Sequence, residues 1–362
     1  MQEILWGQPE RLIGSVLDKN ARVFVVAGRA YRDSALRREV ERLFECTLFE
    51  GYSPNPKYEE IKAGIELFAL SRCNCILAVG GGSAMDVAKA IRLHADAKEE
   101  EDLLERKTSE YVRAIPLVAV PTTAGTGAES TRYSIFYRDG KKISLDDPVC
   151  LPDVALLWEG WLEGLPHEQK VSTMLDALCQ GIESAWSVRS DEASETLALL
   201  AVQKIAAAQE AYLFAPHDQE IAREIMEASS LAGQAIERTK TTAAHAMCYR
   251  LTSDYGVPHG KAVALTLPHI WKVMLGKEET NDPRGMDYVR GQFLKIARAY
   301  GTESAEDAIA KFSENLSRFG VVAPKIKPEE LPALVKAVNV SRLSNNPIPL
   351  SEQDLEKIYS LL

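Results

Sequence analysis

The sequence predicts a two-domain fold, with an N-terminal α/β domain built on a Rossmann-like parallel sheet (residues 1–160) and an all-α C-terminal domain (residues 161–362). Three observations support this division. The chain has 362 residues, 46% of them hydrophobic, and so exceeds the usual size of a single core. Its first half alternates short apolar runs with amphipathic stretches. Only long amphipathic stretches follow residue 160.

Strands and helices are expected to alternate through the first half. Apolar runs at 21–28, 46–53, 74–82 and 115–127 are separated by helical patterns at 33–45, 57–72 and 83–95. Because parallel strands need long crossover connections, this order indicates a parallel sheet. An acidic cluster at 99–102 is interpreted as a solvated face. In the second half, the stretches at 194–214 and 223–247 are interpreted as helical.

Charge and composition narrow the class of partner. The formal net charge of −10 argues against nucleic acid, because nothing concentrates Lys and Arg enough to displace phosphate counterions. The six cysteines are scattered and are interpreted as free thiols. The start of the chain has no signal-peptide pattern, and no run of about eighteen uninterrupted apolar residues occurs. We therefore expect a cytoplasmic protein that binds a small molecule and no membrane.

Two glycine- and hydroxyl-rich loops follow two of the predicted strands. Gly80, Gly81, Gly82 and Ser83 stand where a buried strand gives way to a helix, a position at which amide groups and the helix dipole attract a diphosphate. A tight strand-to-helix turn would also explain this loop alone. The second loop, PTTAGTGAEST, runs from Pro121 to Thr131. Since the carboxyl ends of parallel strands share one edge of the sheet, the two loops together indicate a dinucleotide site.

A metal site is indicated in the second half. His245 and His259 are fourteen residues apart, and Asp176 lies upstream as an oxygen ligand. Two imidazoles and a carboxylate suit zinc or ferrous iron and leave a coordination position for a substrate oxygen. The alternative is that these are ordinary helix residues, in a chain with six histidines.

The motifs, in this order, resemble the iron-containing alcohol dehydrogenase family. GGGSAMDVAK, PTTAGTGAEST, LDALCQGIES, TTAAHAMCY and GVPHGKAVALTLPH match it over most of the chain. The resemblance implies a nicotinamide cofactor, NADPH or NADH, a divalent metal, Fe²⁺ or Zn²⁺, and the two-domain plan also found in dehydroquinate synthase. It implies metal ligation by Asp176, His245 and His259. The cofactor contacts that it implies are Gly81, Gly82, Ser83, Asp86, Thr122, Thr123 and Thr126.

Two positions depart from the family pattern. Gln180 stands one helical turn after Asp176, where most members have a histidine, so an amide oxygen replaces an imidazole as a possible fourth ligand. The metal is therefore expected to depend on three ligands, and iron is in question. Tyr249 replaces a histidine found in many members four residues after His245. Its phenol could donate a proton toward the product alkoxide, and a packing role explains it equally well.

The cofactor's phosphate state is predicted from the end of the first strand of the alternating pattern. Family members that prefer NAD tend to have an aspartate there, whereas this chain has Gly28 followed by Arg29. A small residue beside a guanidinium removes the repulsion of a 2′-phosphate and supplies a partner for it. We therefore favour NADPH over NADH, with a solvent-facing Arg29 as the alternative.

Cationic and hydroxyl groups flank the metal motifs and suggest an anionic substrate. Four are candidate substrate contacts, namely Lys240, Arg250, Ser253 and Lys261. Within the family, the chain most resembles the phosphonoacetaldehyde reductase branch. The expected reaction is metal-dependent, NAD(P)H-linked reduction of a small anionic aldehyde, phosphonoacetaldehyde, to 2-hydroxyethylphosphonate.

Three alternatives to this reaction remain open. The first is a general short-chain alcohol dehydrogenase or aldehyde reductase. The second is a lyase that resembles dehydroquinate synthase, and the third is a non-catalytic nucleotide-binding module. The family resemblance also suggests a homodimer or larger assembly.

Overall fold

The computed structural model describes residues 2–95, 115–338 and 340–362. The chain folds as two compact units, Met1–Gly164 and Leu165–Leu362. The acidic cluster at 99–102, interpreted from the sequence as a solvated face, lies outside the described residues.

The N-terminal unit is an α/β structure. Its strands are β1 (Glu3–Trp6), β2 (Arg22–Ala27), β3 (Glu45–Phe49), β4 (Cys75–Gly80), β5 (Leu117–Pro121), β6 (Tyr133–Arg138), β7 (Lys141–Asp146) and β8 (Val154–Leu157). Its α-helices are α1 (Pro9–Val16), α2 (Ala35–Leu43), α3 (Tyr58–Ser71) and α4 (Gly82–His94). Six of these strands form a parallel sheet in the order β1-β8-β5-β4-β2-β3.

Side chains on the central strands alternate between two apolar cores, one on each face of the parallel sheet. Phe24 and Val26 of β2 belong to the core that includes Met85 and Ile91 of α4. Val23, Val25 and Ala27 belong to the opposite core, with Ile13 of α1 and Leu36 of α2. This period of two arises because successive strand residues point to opposite faces. A sheet covered on both faces explains why the strands are almost continuously apolar.

The antiparallel hairpin of β6 and β7 does not appear among the predicted strands. Asp139 and Gly140 connect its strands, with φ values of 51° and 71°. Both angles lie in the left-handed region that a two-residue hairpin turn requires. The Asp-Gly pair was therefore the sequence signal that identifies this turn.

The regular secondary structure of the C-terminal unit is entirely helical within the described residues, which confirms the predicted fold class. Its α-helices are α5 (His167–Trp186), α6 (Glu192–Phe214), α7 (Gln219–Thr239), α8 (Ala243–Ser253), α9 (His259–Leu275), α10 (Met286–Ala299), α11 (Ala305–Arg318), α12 (Leu331–Lys336), α13 (Val340–Leu343) and α14 (Glu352–Ser360).

Helix α6 is, within the described residues, the one helix long and apolar enough to cross a membrane by length and composition alone. It packs against α5 and α7. Its residues Ala198, Ala201, Val202 and Ile205 are buried in those contacts. These contacts explain its apolar composition as that of a core helix. The cytoplasmic location remains a prediction.

The stretch at 223–247 is not one helix. Helix α7 ends at Thr239, Lys240 has φ 60° and ψ 173°, and α8 begins at Ala243. The side-chain amide of Asn345 donates to the carbonyl oxygens of Thr239 (2.8 Å) and Thr241 (3.1 Å). These tertiary hydrogen bonds hold the backbone in a break that helix periodicity does not reveal.

Candidate active site

The three predicted metal ligands converge in the helical unit. Asp176 lies in the middle of α5, His245 in the first turns of α8, and His259 at the start of α9. One ligand atom from each lies within 4.8 Å of the others. Asp176 Oδ1 is 3.2 Å from His245 Nε2 and 3.9 Å from His259 Nε2. Both imidazoles therefore direct the same ring nitrogen toward one carboxylate.

This donor set fits a divalent metal ion. Ligand atoms about 2.1 Å from a tetrahedral zinc ion stand roughly 3.4 Å from one another, close to the separations between the imidazole nitrogens and Asp176 Oδ1. Asp176 and His245 are buried, whereas the His259 side chain is 35% exposed. The cluster is thus open on the His259 side, as a catalytic metal with a free coordination position requires.

A glycine allows α9 to approach α5 closely enough to complete the cluster. A Cβ atom at Gly260 would stand 1.9 Å from the carbonyl oxygen of Ser172 and 2.9 Å from Asp176 Cβ. No larger residue fits there without moving one of the helices. Gly260 directly follows His259, so this contact positions the second imidazole beside Asp176.

His245 is held from behind by Glu183, a buried residue two turns after Asp176 on α5. Glu183 Oε2 accepts from His245 Nδ1. Glu183 Oε1 accepts from the Thr242 hydroxyl (2.7 Å) and from the amides of Thr242 (3.0 Å), Ala244 (2.9 Å) and His245 (3.3 Å). One carboxylate therefore both caps the start of α8 and fixes the His245 ring.

The direction of each hydrogen bond in this network follows from its partners. The Trp186 indole can only donate, and it does so to the Thr242 hydroxyl at 2.9 Å. That hydroxyl then donates to Glu183, whose carboxylate also receives the proton on His245 Nδ1. His245 Nδ1 is therefore the protonated nitrogen in this bond, which leaves Nε2, the nitrogen directed at Asp176, to bind a metal once it has released any proton that it shares with Asp176.

The electrostatic surroundings of Glu183 favour its charged carboxylate form. Burial alone would raise the pKa of Glu183, but His245 and the Thr242 hydroxyl outweigh burial and hold the pKa below its usual value. Burial likewise opposes charge on His245, while Glu183 and Asp176 outweigh it and raise the pKa of the imidazole. A metal must therefore displace a proton from His245, so metal affinity falls in acid.

The two residues that depart from the family pattern lie next to the cluster along their helices. Gln180 is buried on α5, one turn after Asp176. Tyr249 is half-buried on α8, one turn after His245. Residues four apart share a helix face, so both side chains project from the faces that carry the ligands. Ligation by Gln180 and proton donation by Tyr249 remain predictions.

The predicted anion-binding residues occupy different surroundings. Arg250 is exposed and pairs with Asp254 at 2.7 Å, and Ser253 donates to the same carboxylate at 2.7 Å. Lys261 is buried and forms an ion pair with Glu168. Lys240 is the residue at the break after α7. The structure thus places Arg250 and Ser253 on the solvent side of α8, while Lys261 lies two residues from His259.

The predicted dinucleotide loops converge at the carboxyl edge of the parallel sheet. The Gly28 amide donates to Val79 O and the Thr122 amide to Gly80 O, both at 2.9 Å. A Cβ at Gly81 would stand 3.3 Å from Thr123 Oγ1, and one at Gly82 would stand 3.0 Å from Thr126 Cγ2. The two loops therefore pack closely against each other at these glycines. Arg29 is exposed in a 3-10 turn just after Gly28.

Three ionisable residues, Lys89, Asp86 and Glu129, lie in or next to the two glycine- and hydroxyl-rich loops. Lys89, fully buried on α4, donates to Tyr133 O (2.8 Å) and Thr131 Oγ1 (3.3 Å). Burial raises the pKa of both Asp86 and Glu129 to about 7, although Lys89 acts in the opposite direction on each. Ser83 is the first polar side chain of α4, and its hydroxyl accepts a hydrogen bond from the backbone amide of Asn55 at 3.3 Å.

Three residues that support or flank the candidate metal ligands were not predicted from the sequence. Glu183 and Gly260 support the ligands from behind, and Arg342 of α13 contacts the segment that carries His245. The signal for Glu183 was its spacing, since it follows Asp176 by seven residues and returns to the same face of α5. No local pattern marks Gly260 or Arg342.

Comparison with known proteins identifies the family. The sequence model of iron-containing alcohol dehydrogenases matches residues 5–158, and the model of the C-terminal domain of the same family matches residues 170–362. Both units of the chain, the α/β unit with its glycine-rich loops and the helical unit with the Asp176, His245 and His259 cluster, are therefore matched by models of one enzyme class. The chain belongs to the iron-containing alcohol dehydrogenase family, whose enzymes are oxidoreductases that act on alcohols and aldehydes.

Individual relatives have different substrates in their names. Lactaldehyde reductase of Escherichia coli K12 is 27% identical over 86% of this chain and 83% of its own. Phosphonoacetaldehyde reductase of Streptomyces viridochromogenes is 30% identical over 79% of this chain and 75% of its own. The crystal structure of sulfoacetaldehyde reductase from Bifidobacterium kashiwanohense, in complex with NAD⁺, is 26% identical, with a TM-score of 0.86 over 100% of this chain and 96% of that one.

Proposed function

We propose that this protein is a metal-dependent, NAD(P)H-linked reductase that converts phosphonoacetaldehyde to 2-hydroxyethylphosphonate. The observation that carries the proposal is the convergence of Asp176, His245 and His259. Gln180 is proposed as a weak fourth ligand. The family match favours an oxidoreductase over the lyase and the non-catalytic module.

The cofactors supply the reactive chemistry. When bound, a divalent ion polarises a carbonyl oxygen and a reduced nicotinamide supplies hydride to the carbonyl carbon. Asp176 and the two histidines would hold the ion, with Glu183 keeping His245 in its ligating tautomer. Tyr249, one turn from His245, is the proposed proton donor toward the product oxygen.

The glycine and threonine loops would bind the dinucleotide. Amides at Gly81, Gly82 and Ser83 open α4 and suit the diphosphate. Asp86 and the hydroxyl groups of Thr122, Thr123 and Thr126 supply the proposed polar contacts. The exposed Arg29 beside Gly28 favours a 2′-phosphate, so we infer a preference for NADPH.

An anionic substrate is supported by two kinds of observation. Relatives named for phosphonoacetaldehyde and for sulfoacetaldehyde both reduce a short aldehyde that carries an oxyanion. In this chain Lys261 is a buried cation close in sequence to His259. A homodimer or larger assembly and a cytoplasmic location are further parts of this proposal.

A turnover panel tests the proposal. Zinc- or iron-loaded protein is offered phosphonoacetaldehyde, sulfoacetaldehyde, lactaldehyde and propanal with NADPH or NADH, and loss of reduced-nicotinamide absorbance is recorded. We expect the highest kcat/KM for phosphonoacetaldehyde with NADPH. Equal values for propanal would identify a general aldehyde reductase instead.

Metal dependence is tested with a matched pair of histidine variants. His259→Ala removes a ligand, and we expect turnover to fall to the level of the chelator-treated protein. His217→Ala changes an exposed histidine outside the cluster and serves as the control. Full turnover by His259→Ala, or by protein verified to be free of metal, contradicts the proposed mechanism.

A further inference from the structure

Arg342 lies alongside the part of the chain that carries His245. It belongs to α13, which packs against α8. Its guanidinium donates to the hydroxyl of Thr241, and its Cζ atom is 6.0 Å from the centre of the Tyr249 ring. The side chain is half-buried. Arg342 is therefore part of the packed structure around α8 and still accessible to a solute.

The two contacts place the guanidinium beside residues that flank His245 in the chain. Thr241 and Tyr249 lie four residues before and four residues after His245. Tyr249 shares a helix face with His245 and is displaced from it by about 6 Å along the axis of α8. A side chain that contacts residues on both sides of His245 runs beside the turn of α8 that holds this ligand.

Hydrogen bonds fix the backbone that carries Arg342. Asn345 donates to the carbonyl oxygens of Thr239 and Thr241, and Ser187 donates to Asn345 Oδ1 at 2.9 Å. These bonds join the segment after α13 to the break between α7 and α8. The backbone amide of Asn345 also donates to Arg342 O at 3.2 Å, so the segment that carries Arg342 is held in place and less entropy is lost in ordering it on ligand binding.

The proposed substrates carry their anionic group close to the reacting carbonyl. In phosphonoacetaldehyde and sulfoacetaldehyde, a single methylene separates the carbonyl carbon from phosphorus or sulfur. The oxyanion must therefore bind within a few bond lengths of the carbonyl oxygen. A guanidinium offers parallel N–H donors that match a phosphonate or sulfonate.

We propose that Arg342 binds the anionic group of the substrate and makes the enzyme selective for short aldehydes that carry a phosphonate or sulfonate. The inference rests on the proposed function, because it assumes that the aldehyde oxygen binds at the Asp176, His245 and His259 cluster. It assigns the selectivity to a residue outside the motifs that define the family resemblance.

Direct binding tests the inference without requiring turnover. Zinc-loaded wild type, Arg342→Gln and Arg290→Gln are titrated by calorimetry with ethylphosphonate and with ethanesulfonate. Arg290 is an exposed arginine of α10 that pairs with Glu278, so its variant is the matched control.

We expect Arg342→Gln to weaken binding of the preferred anion about tenfold to a hundredfold, as for a lost charge-assisted hydrogen bond. Arg290→Gln should change this affinity less than twofold. The anion that the wild type binds more tightly identifies the substrate class.

Kinetics provide the second readout. In Arg342→Gln, KM should rise at least tenfold more for the anionic aldehyde than for propanal. Equal rises for both aldehydes, or anion binding as tight as in the wild type, overturn the inference. A larger loss in Arg250→Gln or Lys261→Gln also overturns it and assigns the anion to that cation. So does a wild type that binds neither anion.

The outcomes separate this inference from the proposed function. A wild type that binds ethylphosphonate through Arg342 but reduces no aldehyde contradicts the proposed function and leaves the anion site intact. A wild type that reduces propanal but shows no effect of Arg342→Gln on anion binding contradicts only the role of Arg342. Zinc content, measured for each variant by atomic absorption, shows that the cluster itself is unchanged.

Discussion

At the scale of single residues, Glu183 determines which nitrogen of His245 is available to a metal. Four donors converge on Glu183 Oε1, so the amide oxygen of Glu183→Gln must occupy that position. The amide NH₂ group then faces His245 Nδ1, which has to accept. The ring proton moves to Nε2, the nitrogen directed at Asp176. We expect zinc affinity to fall about tenfold to a hundredfold, measured by competition with a chromophoric chelator.

The control for this variant is Glu192→Gln, which changes an exposed glutamate in the first turn of α6. Its zinc affinity should equal that of the wild type. Thermal unfolding of the metal-free proteins separates tautomer control from simple loss of structure. Wild-type zinc affinity in a folded Glu183→Gln variant would mean that the carboxylate only caps α8.

The metal ligands and their support differ in how far the sequence determines them. Asp176, His245 and His259 were predictable because imidazole and carboxylate side chains carry their chemistry with them. Glu183 was not recognised, because an acid in a helix is usually a solvated residue. Its burial becomes evident only when the start of α8 packs on α5. The spacing of Glu183 from Asp176 places both residues on one face of α5, but only the tertiary contacts show that Glu183 supports His245.

At the scale of secondary-structure elements, the approach of α9 to α5 depends on Gly260. In Gly260→Ala, the new methyl group would overlap Ser172 O, so α9 must move and carry His259 away from Asp176. We expect a loss of about 1–3 kcal/mol in the free energy of unfolding, measured by urea denaturation, and weaker zinc binding.

Gly291→Ala on α10 is the control. A Cβ there meets nothing within 4 Å, so alanine should stabilise the protein by about 0.5–1 kcal/mol. If both variants gain stability, the close approach is not a constraint.

The burial pattern along the sequence made most strands and helices predictable. The elements that were not predicted depend on tertiary contacts. The apolar runs that became β2, β4 and β5 are buried on both faces, so their composition alone indicates a strand. In the β6–β7 hairpin, β6 carries aromatic and apolar residues while β7 is partly exposed and rich in charge, and the turn at Asp139 and Gly140 is the signal that joins them. The break at Lys240 had no such signal. A lysine seldom adopts positive φ, and here hydrogen bonds from Asn345 impose the break.

At the scale of the whole molecule, buried carboxyl groups of the N-terminal unit couple stability to pH. Burial raises the pKa of Glu129 from 4.5 to about 7, so the folded chain holds this proton across a range in which the unfolded chain releases it. The free energy of unfolding therefore decreases as pH rises from about 4.5 to 7, and the lost stability is not regained above pH 7. At about 1.4 kcal/mol per pH unit, the full contribution of Glu129 is about 3 kcal/mol.

Replacing this carboxyl with a neutral amide of the same shape should remove its part of the pH dependence. We expect Glu129→Gln to match the wild type in stability near pH 4.5 and to exceed it by about 1–3 kcal/mol at pH 8, measured by urea denaturation at each pH. Glu163→Gln, at an exposed position of the same unit, should show no such divergence. Because the difference between variant and wild type cancels the titration of Asp86 and of the paired surface acids, its growth with pH isolates Glu129. A difference that stays constant from pH 4.5 to 8 would mean that Glu129 is already ionised in the folded protein, held in that form by Lys89.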